Sequence, residues 1–355
     1  MSFFSSLSEM IGISGKDSES GPKEDVKKEV TVEEKSGEFA EFSAFDLILT
    51  NQFADFNIDY LNPTPTQMIV PIAIRKMDAI APPLSIYSWD LESNVWTKLL
   101  DAAGSCHSAV VIHPEKVVIL GGIRDNACLD TVTTFILKQS ALETQLDVPM
   151  KIARTRTTAI FFRNILTVVG GWAKHKYLTS MEIYDDKNRV WYAGAEMNKP
   201  RANAQLIAFE DTLYVFGGYS GREYEAEFER YDEAANKWIV EGKMAEPTAG
   251  FAGCAFDEYI VLAGGWNNGN NTLNTIWAYA PKRKLWCKPF GNLEKPRKSF
   301  SMIVTEINGE ETMCAIGGYS DSWAPQSSYE YYDKTQGKWV VVDVDPQIQK
   351  ADLKD

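Results

Sequence analysis

The sequence lacks the features that would point to a membrane, a secreted scaffold or a nucleic-acid partner. No apolar run reaches the roughly 18 residues that a membrane-spanning helix needs. The first residues, MSFFSSLSEMIGISG, carry neither the positive charge nor the cleavage site of a secretory signal. The formal net charge of -13 disfavours binding to a phosphate backbone. We therefore expect a cytoplasmic protein with no membrane insertion and no nucleic-acid partner.

Residues for common catalytic and metal chemistry are also scarce. The five cysteines form no CxxC pair, which favours a reducing compartment over a disulfide framework. The three histidines are His107, His113 and His175, and no two of them have metal-ligand spacing. No G-x-S-x-G, G-x-G-x-x-G or P-loop motif is present. We expect no catalytic residues, no bound metal and no cofactor.

Residues 1–40 differ in composition from the rest of the chain. The stretch GKDSESGPKEDVKKEVTVEEKSGE is polar and has no aromatic residue, so disorder is predicted. Apolar residues at helical spacing precede it: Phe3, Phe4, Leu7, Met10 and Ile11. This spacing predicts a short helix over residues 2–12 that docks a partner, and the alternative is a frayed terminus.

The strongest signal is a repeat of about 50 residues. Five apolar runs each end in a Gly-Gly pair, and the steps between pairs lie between 47 and 53 residues. The first glycines of the pairs are Gly121, Gly170, Gly217, Gly264 and Gly317. Short strands separated by turn residues at such a period are typical of a β-propeller.

An aromatic pair recurs in phase with the glycines. In five units an aromatic residue stands seven residues before a tryptophan: Trp89 with Trp96, Tyr184 with Trp191, Tyr231 with Trp238, Tyr279 with Trp286, and Tyr332 with Trp339. The first pair precedes all the Gly-Gly pairs and marks an additional unit, whose inner strands are placed within FSAFDLILTN and QMIVPIAIR. The second unit lacks the tryptophan. Six units of four strands are expected, with the aromatic residues in the core.

An apolar strand, Gly-Gly, a variable loop, Tyr-Asp and Trp together resemble the kelch repeat over roughly residues 80–345. The resemblance implies an all-β fold, a six-bladed kelch-type β-propeller over residues 41–346, followed by a C-terminal tail at 347–355. Kelch proteins are mostly protein-interaction modules, including ubiquitin-ligase adaptors and actin-associated scaffolds. A minority are enzymes, such as copper oxidases and sialic acid mutarotases. No BTB or BACK domain is recognisable before the propeller, which argues against direct cullin recruitment.

The loops after the Gly-Gly pairs are rich in residues that dominate interface hot spots. The candidate partner-binding residues in these loops are Trp172, Tyr219, Arg222, Trp266, Tyr319 and Trp323. Arginines recur before the glycines, at Arg154, Arg201 and Arg297. The resemblance implies that both sets lie on one face of the propeller, where arginines of kelch adaptors contact peptides. This predicts a face that binds an acidic peptide or protein segment. The alternative is that the aromatics pack on the next blade and the arginines pair with nearby acidic residues.

The predicted function is therefore that of a non-catalytic interaction module or scaffold, with actin or a ubiquitin-ligase component among its possible partners. Two alternatives stay open at this point. One is a sugar enzyme of the mutarotase type, which would need a deep polar pocket in the channel. The other is a structural component associated with the actin cytoskeleton.

Overall fold

A computed structural model describes most of the chain from residue 116 and separate strands before it. The described residues are 48–50, 67–73, 84–90, 95–102, 109–113, 116–124, 126–138, 141–269, 271–307, 309–324, 326 and 328–343, with side chains from Lys116 onward except at 137–142. The predicted tails at 1–40 and 347–355 and the predicted helix at 2–12 lie outside them. Every regular element of the described part is a strand, so it contains no helix that could span a membrane.

Twenty-eight strands are described. The first ten are β1 (Ile48–Thr50), β2 (Gln67–Ala73), β3 (Leu84–Asp90), β4 (Val95–Ala102), β5 (Ala109–His113), β6 (Lys116–Leu120), β7 (Ile123–Arg124), β8 (Ala127–Cys128), β9 (Val132–Lys138) and β10 (Ala141–Leu146). The next ten are β11 (Thr158–Phe162), β12 (Ile165–Val169), β13 (Trp172–Ala173), β14 (Lys176–Tyr177), β15 (Met181–Asp185), β16 (Val190–Ala193), β17 (Gln205–Phe209), β18 (Thr212–Phe216), β19 (Glu227–Asp232) and β20 (Lys237–Lys243). The last eight are β21 (Ala252–Phe256), β22 (Tyr259–Ala263), β23 (Ile276–Ala280), β24 (Leu285–Cys287), β25 (Ser301–Ile307), β26 (Glu310–Ile316), β27 (Ser328–Asp333) and β28 (Lys338–Asp343).

These strands form six main sheets, which we number in chain order. Sheet I is β2–β3–β4, and sheet II is β1–β5–β6–β9–β10. Sheets III to VI each have four strands: β11–β12–β15–β16, β17–β18–β19–β20, β21–β22–β23–β24 and β25–β26–β27–β28. Two small hairpins, β7–β8 and β13–β14, follow Gly-Gly pairs. The expected four strands per unit are found in sheets III to VI.

Sheets II to VI are arranged as blades of a β-propeller. Their inner strands β5, β11, β17, β21 and β25 contact one another in succession. The short strand β1 pairs in parallel with β5 and also contacts β11 and β25. Sheet I lies beside sheet II through a contact between β4 and β10. The all-β propeller prediction is confirmed for these five blades.

The core lies between neighbouring sheets, because both faces of each blade are covered. One cluster joins sheets II and III, and others join III to IV, IV to V, and V to VI. The recurring tryptophans close these interfaces by donating an indole N–H to a backbone carbonyl at the end of the preceding sheet or in the connection that follows it. The four bonds are Trp191 to Val148, Trp238 to Ala195, Trp286 to Lys243 and Trp339 to Phe290. The predicted core role of these aromatics is confirmed.

Each Gly-Gly pair follows the second strand of its sheet, where the backbone packs closely against the chain that enters the next sheet. Gly170 has φ +63°, and a Cβ added there would lie 2.4 Å from the carbonyl oxygen of Arg201. The next amide, that of Gly171, donates to the same carbonyl at 2.7 Å. A side chain at the first position would therefore separate sheets III and IV, and only glycine satisfies both the backbone angle and the close approach.

Candidate functional site

The three recurring arginines lie inside the blades. Arg154, Arg201 and Arg297 are 0%, 1% and 0% exposed. Each makes an ion pair with a glutamate of the third strand of its own sheet. The pairs are Arg154–Glu182 at 2.6 Å, Arg201–Glu229 at 3.0 Å and Arg297–Glu330 at 2.9 Å. The prediction that these arginines contact a partner is wrong, because neither member of any pair is open to solvent.

Each buried pair ties the start of a sheet to that sheet's third strand. The Arg154 guanidinium also donates to the carbonyl of Gly170 at 2.8 Å, and the Glu182 carboxylate accepts the backbone amides of Lys151 and Ile152. Burial lowers the pKa of Arg154 and the nearby Glu182 carboxylate opposes that shift. Burial likewise lowers the pKa of Arg297, and the nearby Glu330 carboxylate opposes that shift. The charges are compensated within the fold and serve its assembly.

A belt of backbone hydrogen bonds runs from blade to blade two residues after the arginine position. The amide of Asn203 donates to Arg156, that of Gly250 to Asn203, and that of Ser299 to Gly250, at 2.7 to 2.9 Å. All four residues have positive φ, between 50° and 57°. The left-handed conformation turns the backbone at each of these residues. Its N–H donates to the preceding blade, and its carbonyl accepts a hydrogen bond from the following blade. This belt holds the bases of the loops in a fixed arrangement.

The candidate aromatics of the loops gather into two clusters. In the first, Tyr219 meets Tyr177 of the neighbouring sheet edge-to-face, with ring centroids 5.6 Å apart, and Tyr224 of its own loop at 5.2 Å. Arg222 is exposed in the same loop. Trp172 stacks edge-to-face on His175 within its hairpin at 5.7 Å. Trp172 and Tyr219 are half-buried, so part of each ring remains accessible.

The second cluster joins the loops of sheets V and VI. Trp323 lies 6.3 Å from Trp266 and 5.9 Å from Tyr319 between ring centroids. The Nζ of Lys298 lies 3.6 Å from the centroid of the Trp323 ring, at cation–π distance. Trp266 and Trp323 are half-buried, but Tyr319 is only 4% exposed. Tyr319 therefore packs between the loops, and its predicted role in direct partner contact is not supported.

A polar contact fixes the same two loops. The Asp321 carboxylate of sheet VI accepts the backbone amide of Thr272 of sheet V. Hydrogen bonds from Thr272 lower the pKa of Asp321. The aromatic cluster and this contact together hold the loops of two blades in one arrangement.

Three residues of these clusters are not among the site residues predicted from the sequence: Tyr177, Tyr224 and Lys298. Tyr177 and Tyr224 each lie five residues after an aromatic that follows Gly-Gly, in the returning arm of the loop. That spacing was the available signal for the two tyrosines. Lys298 directly follows Arg297, and nothing in its spacing distinguishes it.

Metal ligands do not converge in the part of the chain that the structure describes. Within it, no group of three or more histidine, cysteine, aspartate or glutamate residues is placed to hold an ion. His175 is exposed beside Trp172, His113 lies in β5 with its side chain undescribed, and His107 lies outside the described residues. The described cysteines, Cys128, Cys254, Cys287 and Cys314, are free.

Comparisons with known proteins address the family and the fold. A kelch motif model matches residues 153–198, 200–245 and 247–289, which cover sheets III, IV and V. A solved structure titled "Structure of YjhT" is similar to the chain with a TM-score of 0.63 and 13% sequence identity, over 81% of this chain and 100% of that one. At this identity the likeness shows the fold alone. A search of curated proteins finds no sequence match. The chain thus carries three consecutive matches to the kelch motif, one on each of the propeller blades III, IV and V.

Proposed function

We propose that this kelch propeller is a protein-interaction module that binds a partner protein or peptide on the face formed by the loops after the Gly-Gly pairs. The observation that carries the proposal is the position of Trp172, Tyr219, Trp266 and Trp323, which are half-buried on loops rather than enclosed in the sheets. Large aromatic rings held by a rigid scaffold supply contact area at low entropic cost. The exposed Arg222 adds a charged, bidentate donor beside them.

We do not propose an acidic partner. That preference rested on Arg154, Arg201 and Arg297, which are enclosed and already paired. Most of the candidate contact residues on the loop face are aromatic. The partner is therefore expected to present apolar or aromatic side chains to it. Actin and a ubiquitin-ligase component remain candidate partners, and a cytoplasmic location remains a prediction.

The experiment is affinity purification from a lysate with the full chain and a variant carrying Trp323→Ala and Arg222→Ala. Proteins that bind the loop face should be lost from the variant. The control is Lys187→Ala, in the turn between β15 and β16, where an exposed lysine makes no described contact. Retention of all partners by the double variant would contradict the proposal. Cosedimentation with filaments would identify actin, and a rise in Tm with a sugar would favour an enzyme instead.

We also propose that sheet I belongs to a sixth blade. Trp89 in β3 is directly opposite Trp96 in β4, which is the register of Tyr184 with Trp191 in sheet III. The strand β1 lies beside the inner strands β5 and β25, where the innermost strand of an additional blade would be expected. Its test is Trp96→Ala, which should lower the Tm of the whole ring in one transition. A separate early transition would contradict a shared ring.

A further inference from the structure

The loop after the Gly-Gly pair of sheet V has a fixed base and an exposed tip. At the base, Trp266 forms antiparallel bridges with Ala249 and with Thr272. Between the two arms of the loop, Asn268 and Gly269 lie in a turn, and both are exposed. The tip is therefore the part of the loop whose backbone is least restrained by the sheets.

The tip carries an Asn-Gly pair, the sequence in which asparagine reacts most readily with its own backbone. The attacking atom is the backbone nitrogen of the residue that follows, and glycine places no Cβ beside that nitrogen. The sequence contains two such pairs, Asn268–Gly269 and Asn308–Gly309. Asn308 lies outside the described residues, so the structural argument concerns Asn268.

Asn271 provides a comparison within the same loop. It is exposed as well, but the amide that follows it, that of Thr272, donates to the Asp321 carboxylate. A nitrogen that donates to a charged acceptor is held strongly in place with its proton. The branched side chain of Thr272 also obstructs the approach to this nitrogen. Asn271 should therefore be unreactive.

The amide of Gly269 is held much more weakly. It donates to Oδ1 of Asn267 at 3.1 Å, a neutral acceptor two residues away in an exposed part of the loop. Such a bond exchanges readily with water. In the part of the chain that the structure describes, the Asn268 side chain makes no hydrogen bond. Its Cγ is therefore free to approach the Gly269 nitrogen.

We propose that Asn268 is a site of spontaneous deamidation. The Gly269 nitrogen loses its proton to solvent and attacks Cγ of Asn268. A Cγ–N bond forms, the Cγ–Nδ2 bond breaks, and Nδ2 gains a proton and leaves as ammonia. Water then opens the cyclic imide at one of its two carbonyls. The products are aspartate and isoaspartate, and no oxidant or reductant takes part.

The reaction changes the loop face at a defined place. Either product puts a carboxylate where a neutral amide stood, two residues after Trp266. Isoaspartate also lengthens the main chain, because the chain then runs through Cβ and Cγ. An added charge is costly to desolvate against an apolar partner, so partner capture should weaken as the protein ages. This consequence rests on the partner-binding function proposed above, whereas the reaction itself does not.

The test incubates the full chain at neutral pH and follows each asparagine by fragment-ion mass spectrometry. Asn268 should gain the mass of deamidation and become a substrate for isoaspartate methylation, while Asn271 stays intact. Gly269→Ala is the matched variant. A Cβ at that position lies 3.4 Å from Oδ1 of Asn267 and 3.5 Å from Nδ2 of Asn271, which are ordinary contact distances. The variant should keep the Tm and lose most of the conversion, because the methyl group obstructs the attacking nitrogen.

An intact Asn268 after incubation, equal conversion of Asn271, or undiminished conversion in Gly269→Ala would each refute the site. Partner capture is then compared between fresh chain, incubated chain and Asn268→Asp. The last two should capture less than the fresh chain, and incubated Gly269→Ala should capture as much. Conversion with unchanged capture would refute the effect on binding. Capture by Trp323→Ala with Arg222→Ala is measured on fresh protein, so the two proposals fail independently.

Discussion

The Arg201 guanidinium lies 3.0 Å from the Glu229 carboxylate, and both side chains are shielded completely from solvent. Arg201 also donates to the carbonyls of Gly217 and Glu227, and Glu229 accepts the backbone amide of Asn198. One buried pair therefore connects three segments of sheet IV. Sheets III and VI repeat the arrangement.

Removal of one partner of this pair should be strongly destabilising. Arg201→Met keeps much of the volume but leaves Glu229 buried without a cation, and we expect the free energy of unfolding to fall by about 3–5 kcal/mol. Urea unfolding followed by circular dichroism measures this. Arg222→Met, at an exposed position, is the control and should stay within about 0.5 kcal/mol of the parent. A loss for Arg201→Met as small as that of the control would contradict the structural role of the pair.

Gly250 is expected to tolerate no side chain. A Cβ at this position would lie 1.7 Å from Cζ3 of Trp266, and the backbone has φ +57°. Gly250→Ala should therefore displace the Trp266 ring and lower the Tm substantially. Gly291→Ala is the matched control, because Gly291 has φ +68° and no heavy atom within 4 Å of the added Cβ. Its cost should be limited to backbone strain of about 1 kcal/mol. Equal losses in thermal unfolding would show that the Trp266 contact is unimportant.

Alkaline pH should unfold the propeller through its core tyrosines. Burial, with Glu233 and Asp232 nearby, raises the pKa of Tyr231 to about 12. Burial, with Glu241 and Tyr214 nearby, raises the pKa of Tyr279 to about 12. Unfolded tyrosine ionises near pH 10, so the stabilisation is complete below about pH 10 and is lost as the pH rises toward about 12.

Absorbance at the tyrosinate band and circular dichroism should be followed together across this range. Ionisation of the last tyrosines should coincide with loss of β structure. Tyr231→Phe and Tyr279→Phe should shift the unfolding midpoint to higher pH, because phenylalanine cannot ionise. Full ionisation of the wild-type tyrosines near pH 10 with the fold intact would contradict the prediction.

The cysteines should differ in their reactivity. Burial raises the pKa of the Cys254 and Cys314 thiols well above the ordinary range, and they are 4% and 0% exposed. Cys128 and Cys287 are half-buried, and burial raises their pKa as well. Because the thiolate is the reactive form, iodoacetamide at about pH 8 should label Cys128 and Cys287 before the other two.

Mass spectrometry of native and urea-treated samples gives the labelling of each site. Cys254 and Cys314 should react only when urea unfolds the chain. Early labelling of either thiol in the native protein would show that its blade opens locally, contrary to its buried position.

The blades could be predicted from the sequence because the Gly-Gly pairs and the aromatic pairs have independent physical causes that agree in phase. Glycine is required where one chain passes under another, and tryptophan fills the interface between sheets. The aromatic register was recovered residue by residue, as in Tyr184 opposite Trp191. The path of β1, which pairs in parallel with β5, was not predictable because parallel pairing of a three-residue strand leaves no local pattern.

The recurring arginines show why sites are harder to predict than folds. A repeated arginine has the same spacing whether its side chain faces a partner or the core. The distinguishing signal was a second recurrence, the glutamate 28 residues after Arg154 and again 28 residues after Arg201. Two opposite charges that recur together indicate a pair within the repeat. Sheet V has Thr248 and Trp277 in place of the arginine and the glutamate, a substitution that becomes visible only once that pairing is known.

The belt that joins Arg156, Asn203, Gly250 and Ser299 uses main-chain atoms alone. Arg156, Asn203 and Ser299 make this junction with three different side chains, so the main-chain contact itself requires only a left-handed backbone, and the demand for glycine at Gly250 comes from the neighbouring Trp266 ring. A unit copied from elsewhere in the chain would carry a compatible main-chain junction at each end. Such a ring can change its number of units by whole-unit duplication or loss without inventing a new interface.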